Sequence, residues 1–497
     1  MKHLLAISIG PVQSFIAAGR RTADLYAGSA LLQDTARAVA ASLPASTQFI
    51  FPADRSQAAA NRLLAVVDGD PARIAQEARA AARSHLQAQW SWAMERIGDL
   101  SGRIDQERSR EQLRHALELY AAWQPLNGID YPEARERAEL LLGGRKALRD
   151  FGPAFQHDEG VPKSPLDPAL ASVIDPEDWS EAQASAQGSN RPLRIRPSET
   201  LDAISLLKRI YGVVHLGTVP STRVFARRSV DPSADSAILA EDEGTPEPQP
   251  YFALLLADGD RMGARIAALK TQEDHRRFSS ALGRFASKAK ELVEQCGGHP
   301  VYAGGDDLLA FLPVTTALGC ARNLHQLFVE MVPGNTGVLC EGTPCSLSIG
   351  LALVHYRQPL SLSLEAARAA EEEAKKKRSS LAVAYQPRSG RRVLACSNWN
   401  DLQGFKSWDS VIDLYQRGAV PRGLAYDLRK LASEWDPSRM GDKGLLQEVK
   451  RVLKQKGLEA ALDVEELGLD KRDQLLAFTE QLRIGRFLVP LGVEVHA

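Results

Sequence analysis

Gly304, Gly305, Asp306 and Asp307 make a tight two-glycine turn with two adjacent carboxylates, set between apolar segments that read as strands at 300–303 and 308–312. Glycine permits positive φ and close backbone approach, so such a hairpin tip brings phosphate and cation near the main chain with no Cβ in the way. The carboxylates supply the hard oxygen ligands that Mg²⁺ on a triphosphate requires. A third carboxylate, Asp258, ends the continuous apolar run Tyr251 to Ala257, which has the character of a strand buried in the middle of a sheet. In a β-α-β-β unit that strand neighbours the one leaving the hairpin, so Asp258, Asp306 and Asp307 are expected to converge. Two divalent cations about 3.5–4 Å apart at such a spot would activate an attacking hydroxyl and neutralise a departing pyrophosphate. The residues by themselves support metal-dependent nucleotidyl transfer.

The elements that must position these groups follow from hydrophobic periodicity. After Asp258 the pattern predicts a helix over 274–296, the two hairpin strands, a helix over 315–331, a strand over 346–354, a helix over 363–378 and a strand over 380–385. This β-α-β-β-α-β order is the ferredoxin-like split repeat. At the other end of the chain a strand over 3–9 is followed by one long helix from Pro11 to Leu43, with Pro11 in its first turn, and by strands at 49–51 and 61–67, again an α+β module. Residues 72–148 read as helical, with Trp90, Trp92 and Trp123 as core aromatics. Residues 150–250 are irregular apart from an apolar helix from Leu201 to Tyr211, and the acidic, proline-rich stretch from Asp231 to Pro250 reads as a surface linker. The tail from 396 is expected to be mostly helical.

Composition limits the alternatives. With 497 residues, 44% hydrophobic and 25% charged, the chain is globular and too long for a single core. Its formal charge of −1 argues against coating nucleic acid by bulk electrostatics. Five cysteines without a C-x-x-C pair indicate neither a zinc ribbon nor a disulfide framework, and fit a reducing cytoplasm. No long apolar span is present.

Several motifs together resemble a known family, the large palm-domain subunit of type III-B (Cmr-type) CRISPR effector complexes. Ser8 to Ile16 (SIGPVQSFI) and Asp24 to Ser29 (DLYAGS) are similar to the start of that family's first palm, as are Phe51-Pro52 and Asn61-Arg62-Leu63. Lys163 to Asp167, the helix at Leu206 to Arg209 and Pro220-Ser221-Thr222 resemble the region between palms. Asp258 to Gly263 (DGDRMG) and Gly304 to Asp307 resemble the second palm.

The resemblance implies two ferredoxin-like palm domains with helical insertions and a C-terminal helical domain: a first, non-catalytic palm at 1–150, an inter-palm region at 151–248, a catalytic palm at 249–395 and helices at 396–497. It implies conversion of ATP to cyclic oligoadenylate, with Asp258, Asp306, Asp307 and the Gly259 carbonyl holding Mg²⁺ or Mn²⁺. Gly304, Gly305 and Lys375 would serve nucleotide binding, and Ser29 is a weaker candidate for the second nucleotide. Read alone, the charge run from Glu371 to Arg378 is a solvated helical face. Implied partners are guide crRNA, target RNA and other effector subunits, with no membrane. Arg20, Arg21, Lys208, Arg209, Arg223, Arg227 and Arg228 are available to RNA or a neighbouring subunit, and no site is assigned to them.

The departures from the family pattern carry expectations too. The chain begins directly at the first palm, so DNA cleavage by an HD nuclease is not expected, and His157-Asp158 is an isolated dipeptide. Cysteines are absent from residues 1–295, so no inter-palm zinc is expected. Asp202 stands where the helix commonly carries cysteine, and packing would have to hold that loop. Two other readings remain: a catalytically silent scaffold, or a free-standing cyclase of the diguanylate type.

Overall fold

The computed structural model describes residues 1–55, 61–148, 160–175, 195, 199–216, 219–234, 249–336, 345–399, 408–458, 462, 464–465, 467–489, with the side chains of 333–336 and 437–443 excepted. The dipeptide His157-Asp158 and residues 235–248 of the expected linker lie outside the described residues. The chain divides into two compact units, one comprising Met1–Ser221, Arg261–Ser287 and Met331–Pro344, the other Thr222–Asp260, Lys288–Glu330 and Cys345–Ala497.

The first unit is built on an antiparallel sheet in the order β2-β3-β1-β4, from β1 (Lys2–Gly10), β2 (Gln48–Phe51), β3 (Arg62–Asp68) and β4 (Glu118–Pro125). Alternation along β1 sends Leu5, Ile7 and Ile9 to one face and Leu4 and Ala6 to the other. The first face packs on helices α2 (Thr22–Ser42) and α3 (Pro71–Ile97), which follow the short α1 (Val12–Ala17). Helix α4 (Gln106–His115) precedes β4, and α5 (Tyr131–Ala147) covers the second face through Ala134, Ala138 and Leu142.

Two local expectations need correction. The single helix over 11–43 is two, because the amides of Arg20 and Arg21 turn aside to the Asp24 carboxylate at 3.1 and 3.2 Å instead of continuing the helical ladder. Pro11 therefore caps α1 rather than sitting within a first turn. The uniformly helical reading of 72–148 misses β4, whose Trp123 is half-buried opposite Leu5 of β1.

Helix α6 (Ala203–His215) closes this unit. Its Lys208 and Arg209 are 0% and 1% exposed, which removes both from any RNA-facing surface. Lys208 donates to the carbonyls of Phe15 and Ala18, capping the end of α1. Arg209 forms a bidentate pair with Asp24 at 2.9 and 3.1 Å and reaches Glu199 at 3.0 Å, a charge-compensated triad that fixes α2 to α6. The loop before α6 is held by hydrogen bonds, not packing alone. Asp202 accepts from the hydroxyls of Ser164 and Ser205, both at 2.6 Å, while Gln112 accepts the Ala203 amide at 2.8 Å.

The second unit carries a six-stranded sheet in the order β10-β9-β8-β5-β7-β6. In sequence its described elements are α7 (Thr222–Arg228), β5 (Tyr251–Gly259), α8 (Met262–Ala268) and α9 (Gln272–Gln295), then β6 (His299–Gly304), β7 (Asp307–Leu312), α10 (Val314–Thr336), β8 (Leu347–His355), α11 (Leu360–Lys377), β9 (Ser380–Gln386) and β10 (Val393–Asn398). Of these, α8, residues 272–287 of α9 and residues 331–336 of α10 belong to the first unit. The core β8-β5-β7-β6 is the split repeat expected from sequence. A parallel crossover through α11 adds β9, and β10 lengthens the sheet, its last three residues lying where the mostly helical tail was expected to begin. Four helices follow, α12 (Trp408–Gln416), α13 (Leu424–Glu434), α14 (Pro437–Gln455) and α15 (Arg472–Leu488), sharing one apolar core of residues such as Val411, Leu428, Val449 and Leu482. Among the described residues no helix is long and apolar enough to cross a membrane.

Candidate active site

Strand β5 lies between β8 and β7, and its pairing with β7 runs from Ala253–Leu312 to Ala257–Leu308. Continued by one step, that antiparallel register would set Asp258 opposite Asp307, and by two steps Gly259 opposite Asp306. The hairpin is closed by the pair Gly304–Asp307, leaving Gly305 and Asp306 as a two-residue loop. Gly305 has φ +83°, which suits a turn with its first central residue in the left-handed region and explains glycine there.

The carboxylates are crowded by protein. Burial pushes the Asp306 carboxyl up to about 6, against the pull of two amides, its own and that of Gly259. Asp307 is pushed up to about 7 by burial and by the charge of Asp306, while the Tyr302 hydroxyl, donating at 3.2 Å, opposes the shift. Burial and Asp307 in turn raise the Tyr302 phenol well above its ordinary value. Two neighbouring carboxyls so poorly solvated have a strong demand for positive charge.

Helix α11 brings a cation to the neighbouring end of β5. Gly350 on β8 lets the helix approach closely, since a Cβ there would stand 2.2 Å from the Glu371 amide nitrogen. From that seat Lys375 forms an ion pair with Asp258, donates to the Gly259 carbonyl at 2.8 Å and stands 3.7 Å from Asp260. Its ammonium pKa is drawn down to about 8, chiefly by burial and then by Arg378. Lys375 thus belongs to the site and not to a solvated face.

Each expected residue can now be located. Asp258, Gly259, Gly304, Gly305, Asp306, Asp307 and Lys375 meet at one end of the sheet. Ser29 lies in the first unit, buried in α2, with its hydroxyl accepting from Gln33 at 3.0 Å. Among the described residues, no three His, Cys, Asp or Glu side chains stand close enough to surround one metal ion, because Asp258 is turned to Lys375. The donor chemistry fits a hard dication: carboxylates and a main-chain carbonyl, with no sulfur or imidazole. Sequence reasoning missed Tyr302, Glu371 and Asp260. Glu371 lies one turn before Lys375, and its pKa is raised by burial and then by Glu372. Spacing on the helix would have found it, whereas Tyr302 carries no signal apart from its strand.

Strand order, acidic hairpin and basic helix define a palm-domain protein. Residues 251–382 match the family described as Cas10/Cmr2, second palm domain, and residues 4–117 match that described as CRISPR-associated protein Cmr2, N-terminal. The Cmr subunit Cmr2 of Pyrococcus furiosus is 28% identical over 248 residues, which cover 44% of this chain and 28% of that protein. Among solved structures, the type III-B Cmr-beta complex bound to cognate target RNA superposes with a TM-score of 0.63 at 13% identity, covering 97% of this chain and 83% of its counterpart. The Csm1–Csm4 cassette in complex with cA4 gives 0.54 at 15% identity, covering 98% and 70%. These structural likenesses show a shared fold. Two stretches of the chain, 4–117 and 251–382, are thus similar to the N-terminal and second palm domains of the Cas10/Cmr2 family, and the alignment spans less than a third of the length of the Pyrococcus relative.

Proposed function

We propose that this chain is the ATP-processing large subunit of a type III CRISPR effector complex, making cyclic oligoadenylate when guide crRNA has captured target RNA. The observation that carries this reading is the meeting of the Asp306–Asp307 hairpin, the Asp258–Gly259 strand end and the Lys375 ammonium on one palm sheet. A relative of the same fold held in complex with cA4 supports the choice of adenylate.

Asp258, Asp306, Asp307 and the Gly259 carbonyl would hold Mg²⁺ or Mn²⁺, which when bound supplies Lewis-acid polarisation of a phosphate and lowers the pKa of an attacking ribose hydroxyl. The chain's own groups do the rest. The Gly304–Gly305 turn lets phosphate approach the backbone. Lys375 would offer its ammonium to a phosphate oxygen. Tyr302 holds one oxygen of Asp307 and so fixes which oxygen faces the ligand.

The test is to assemble the complex with crRNA, target RNA, ATP and Mg²⁺ or Mn²⁺, and to resolve products by chromatography and mass spectrometry. Cyclic oligoadenylates from wild type, and none from Asp306→Ala/Asp307→Ala, are expected. A wild-type complex that binds target RNA and yields no such product would favour a scaffold role; product without target RNA would favour a free-standing cyclase.

A further inference from the structure

Asp260 is 2% exposed and stands two residues beyond Asp258, yet it does not join the carboxylates of the hairpin. Its Oδ1 accepts the Ser348 hydroxyl at 2.7 Å, and its Oδ2 accepts the Ser346 hydroxyl at 2.7 Å and the Ser379 amide at 2.9 Å. Its own amide donates to the Ser346 carbonyl at 2.9 Å. Hydrogen bonds to a buried carboxylate are strong ones, and here they join three chain segments, the end of β5 that carries Asp260, the start of β8 and the exit of α11.

The third segment is the telling one. Helix α11 exits through Arg378 (φ +59°) and Ser379 (φ +44°), two consecutive non-glycine residues in the left-handed region. Such backbone persists only when its surroundings hold it. The Ser379 amide is held by Asp260, its carbonyl by the Trp399 amide at 2.8 Å, and the Arg378 carbonyl by the Ser380 hydroxyl at 2.6 Å. Ser379 follows Lys375 by one helical turn, so the point at which the chain leaves α11 sets the height at which the ammonium meets Asp258 and the Gly259 carbonyl.

We propose that Asp260 is a positioning residue: it pins the left-handed exit of α11 to the end of β5 and thereby sets where Lys375 stands against Asp258 and Gly259. It acts through Lys375 and touches no reacting atom, in the manner of an outer carboxylate that orients an inner group. The inference rests on the proposed function only for what Lys375 finally grips.

Two readouts separate the claims. In the full chain without substrate, hydrogen–deuterium exchange of the segment from Lys375 to Ser380 should quicken in Asp260→Ala, while strands β5 and β7 keep wild-type protection. Asp260→Asn, which retains an acceptor oxygen for the Ser379 amide, should fall between the two. Unchanged exchange in a folded Asp260→Ala protein overturns the proposal. If that variant does not fold, Ser346→Ala/Ser348→Ala removes two of the three side-chain donors and should still quicken exchange at Ser379; no change there overturns it equally. In the assembled complex, Asp260→Ala should raise KM for ATP by roughly tenfold to a hundredfold, with kcat less affected and Asp260→Asn largely rescued. Adding Asp260→Ala to Lys375→Met should cost nothing further. A full additive loss would mean that Asp260 acts by another route. If wild type forms no cyclic product, the proposed function falls, and the exchange measurement still decides the role of Asp260.

Discussion

The two palm sheets share one wiring and differ at one tip. Strands β4-β1-β3-β2 of the first correspond in order and direction to β8-β5-β7-β6 of the second. In the first, β1 ends with Ser8 opposite Arg62 and with the Ile9 amide bonded to the Asn61 carbonyl at 2.7 Å. In the second, the pairing of the equivalent strands stops at Ala257–Leu308, and the next residues along each are Asp258 and Asp307. Fold alone therefore does not make the site; a few carboxylates at one hairpin do. The largest test of that contrast is to neutralise acids at both tips. Asp306→Ala/Asp307→Ala should reduce product formation by on the order of 10³-fold or more, since preorganised charge is the main catalytic term. Asp54→Ala, in the loop after β2 of the first palm, should stay within about twofold. Equal losses would break the comparison.

Among the described residues each unit has a lysine whose pKa is drawn down to about 8, chiefly by desolvation, and the two do different work. Lys208 caps main-chain carbonyls deep in the first unit, whereas Lys375 is 26% exposed and grips a carboxylate of the site. Lys208→Met should leave buried carbonyls of Phe15 and Ala18 without their donor, at a cost of roughly 1–3 kcal/mol in chemical denaturation. Lys375→Met should change stability little, weaken ATP binding by roughly tenfold as one charge-assisted phosphate contact is lost, and leave Mn²⁺ affinity measured without nucleotide equal or higher, because Asp258 is freed. Loss of Mn²⁺ affinity would show that Asp258 and the ion do not compete with Lys375.

Close approaches give a third comparison. A Cβ on Gly350 would meet backbone of α11 at 2.2 and 2.6 Å, but one on Gly28 would meet the Ile16 Cα and the Lys208 Cε, each at 3.2 Å. Gly350→Ala should therefore cost roughly 2–3 kcal/mol and Gly28→Ala about 1 kcal/mol in urea midpoints converted with a common slope.

These contrasts also show what a single sequence can disclose. The second palm was legible because its central strand is a continuous apolar run ending in Asp258 and its turn carries glycines where positive φ is needed. Strand β4 was not, because Glu118 to Pro125 lies in a stretch rich in helix-forming residues and is extended only through pairing with β1. The break between α1 and α2 depends on Asp24, a local cap three and four residues on that accepts the amides of 21 and 20 and that the hydrophobic periodicity does not show. Lys208 and Arg209 looked like surface charges, although their apolar neighbours from Leu206 to Tyr211 gave a hint of burial. Asp260 was invisible as a strut because its partners, Ser346, Ser348 and Ser379, are far away in sequence.

The smallest effect sharpens the contrast between units by acid. In the first unit His275 is 2% exposed, and its Nδ1 stands 2.6 Å from the Tyr131 hydroxyl. Burial, with Arg135 and Arg62 adding repulsion, draws its pKa down from 6.5 to about 3. An unfolded chain would bind this proton below pH 6.5 while the folded chain refuses it until about pH 3. The unfolded state therefore binds more protons across that window, and stability falls as pH drops through it. The expected slope from this residue is about 1.4 kcal/mol per pH unit well below 6.5, present in full only while the fold keeps the imidazole neutral. Between pH 6.5 and 5.5, before most carboxylates titrate, His275→Gln should flatten the dependence of the urea midpoint on pH by about 1 kcal/mol. His275→Gln should leave the pH dependence of the second unit's own melting unchanged, as followed by tryptophans such as Trp408 and Trp435. Parallel flattening at those reporters would mean that the two units unfold as one, and the contrast drawn between them would then hold for chemistry and not for stability.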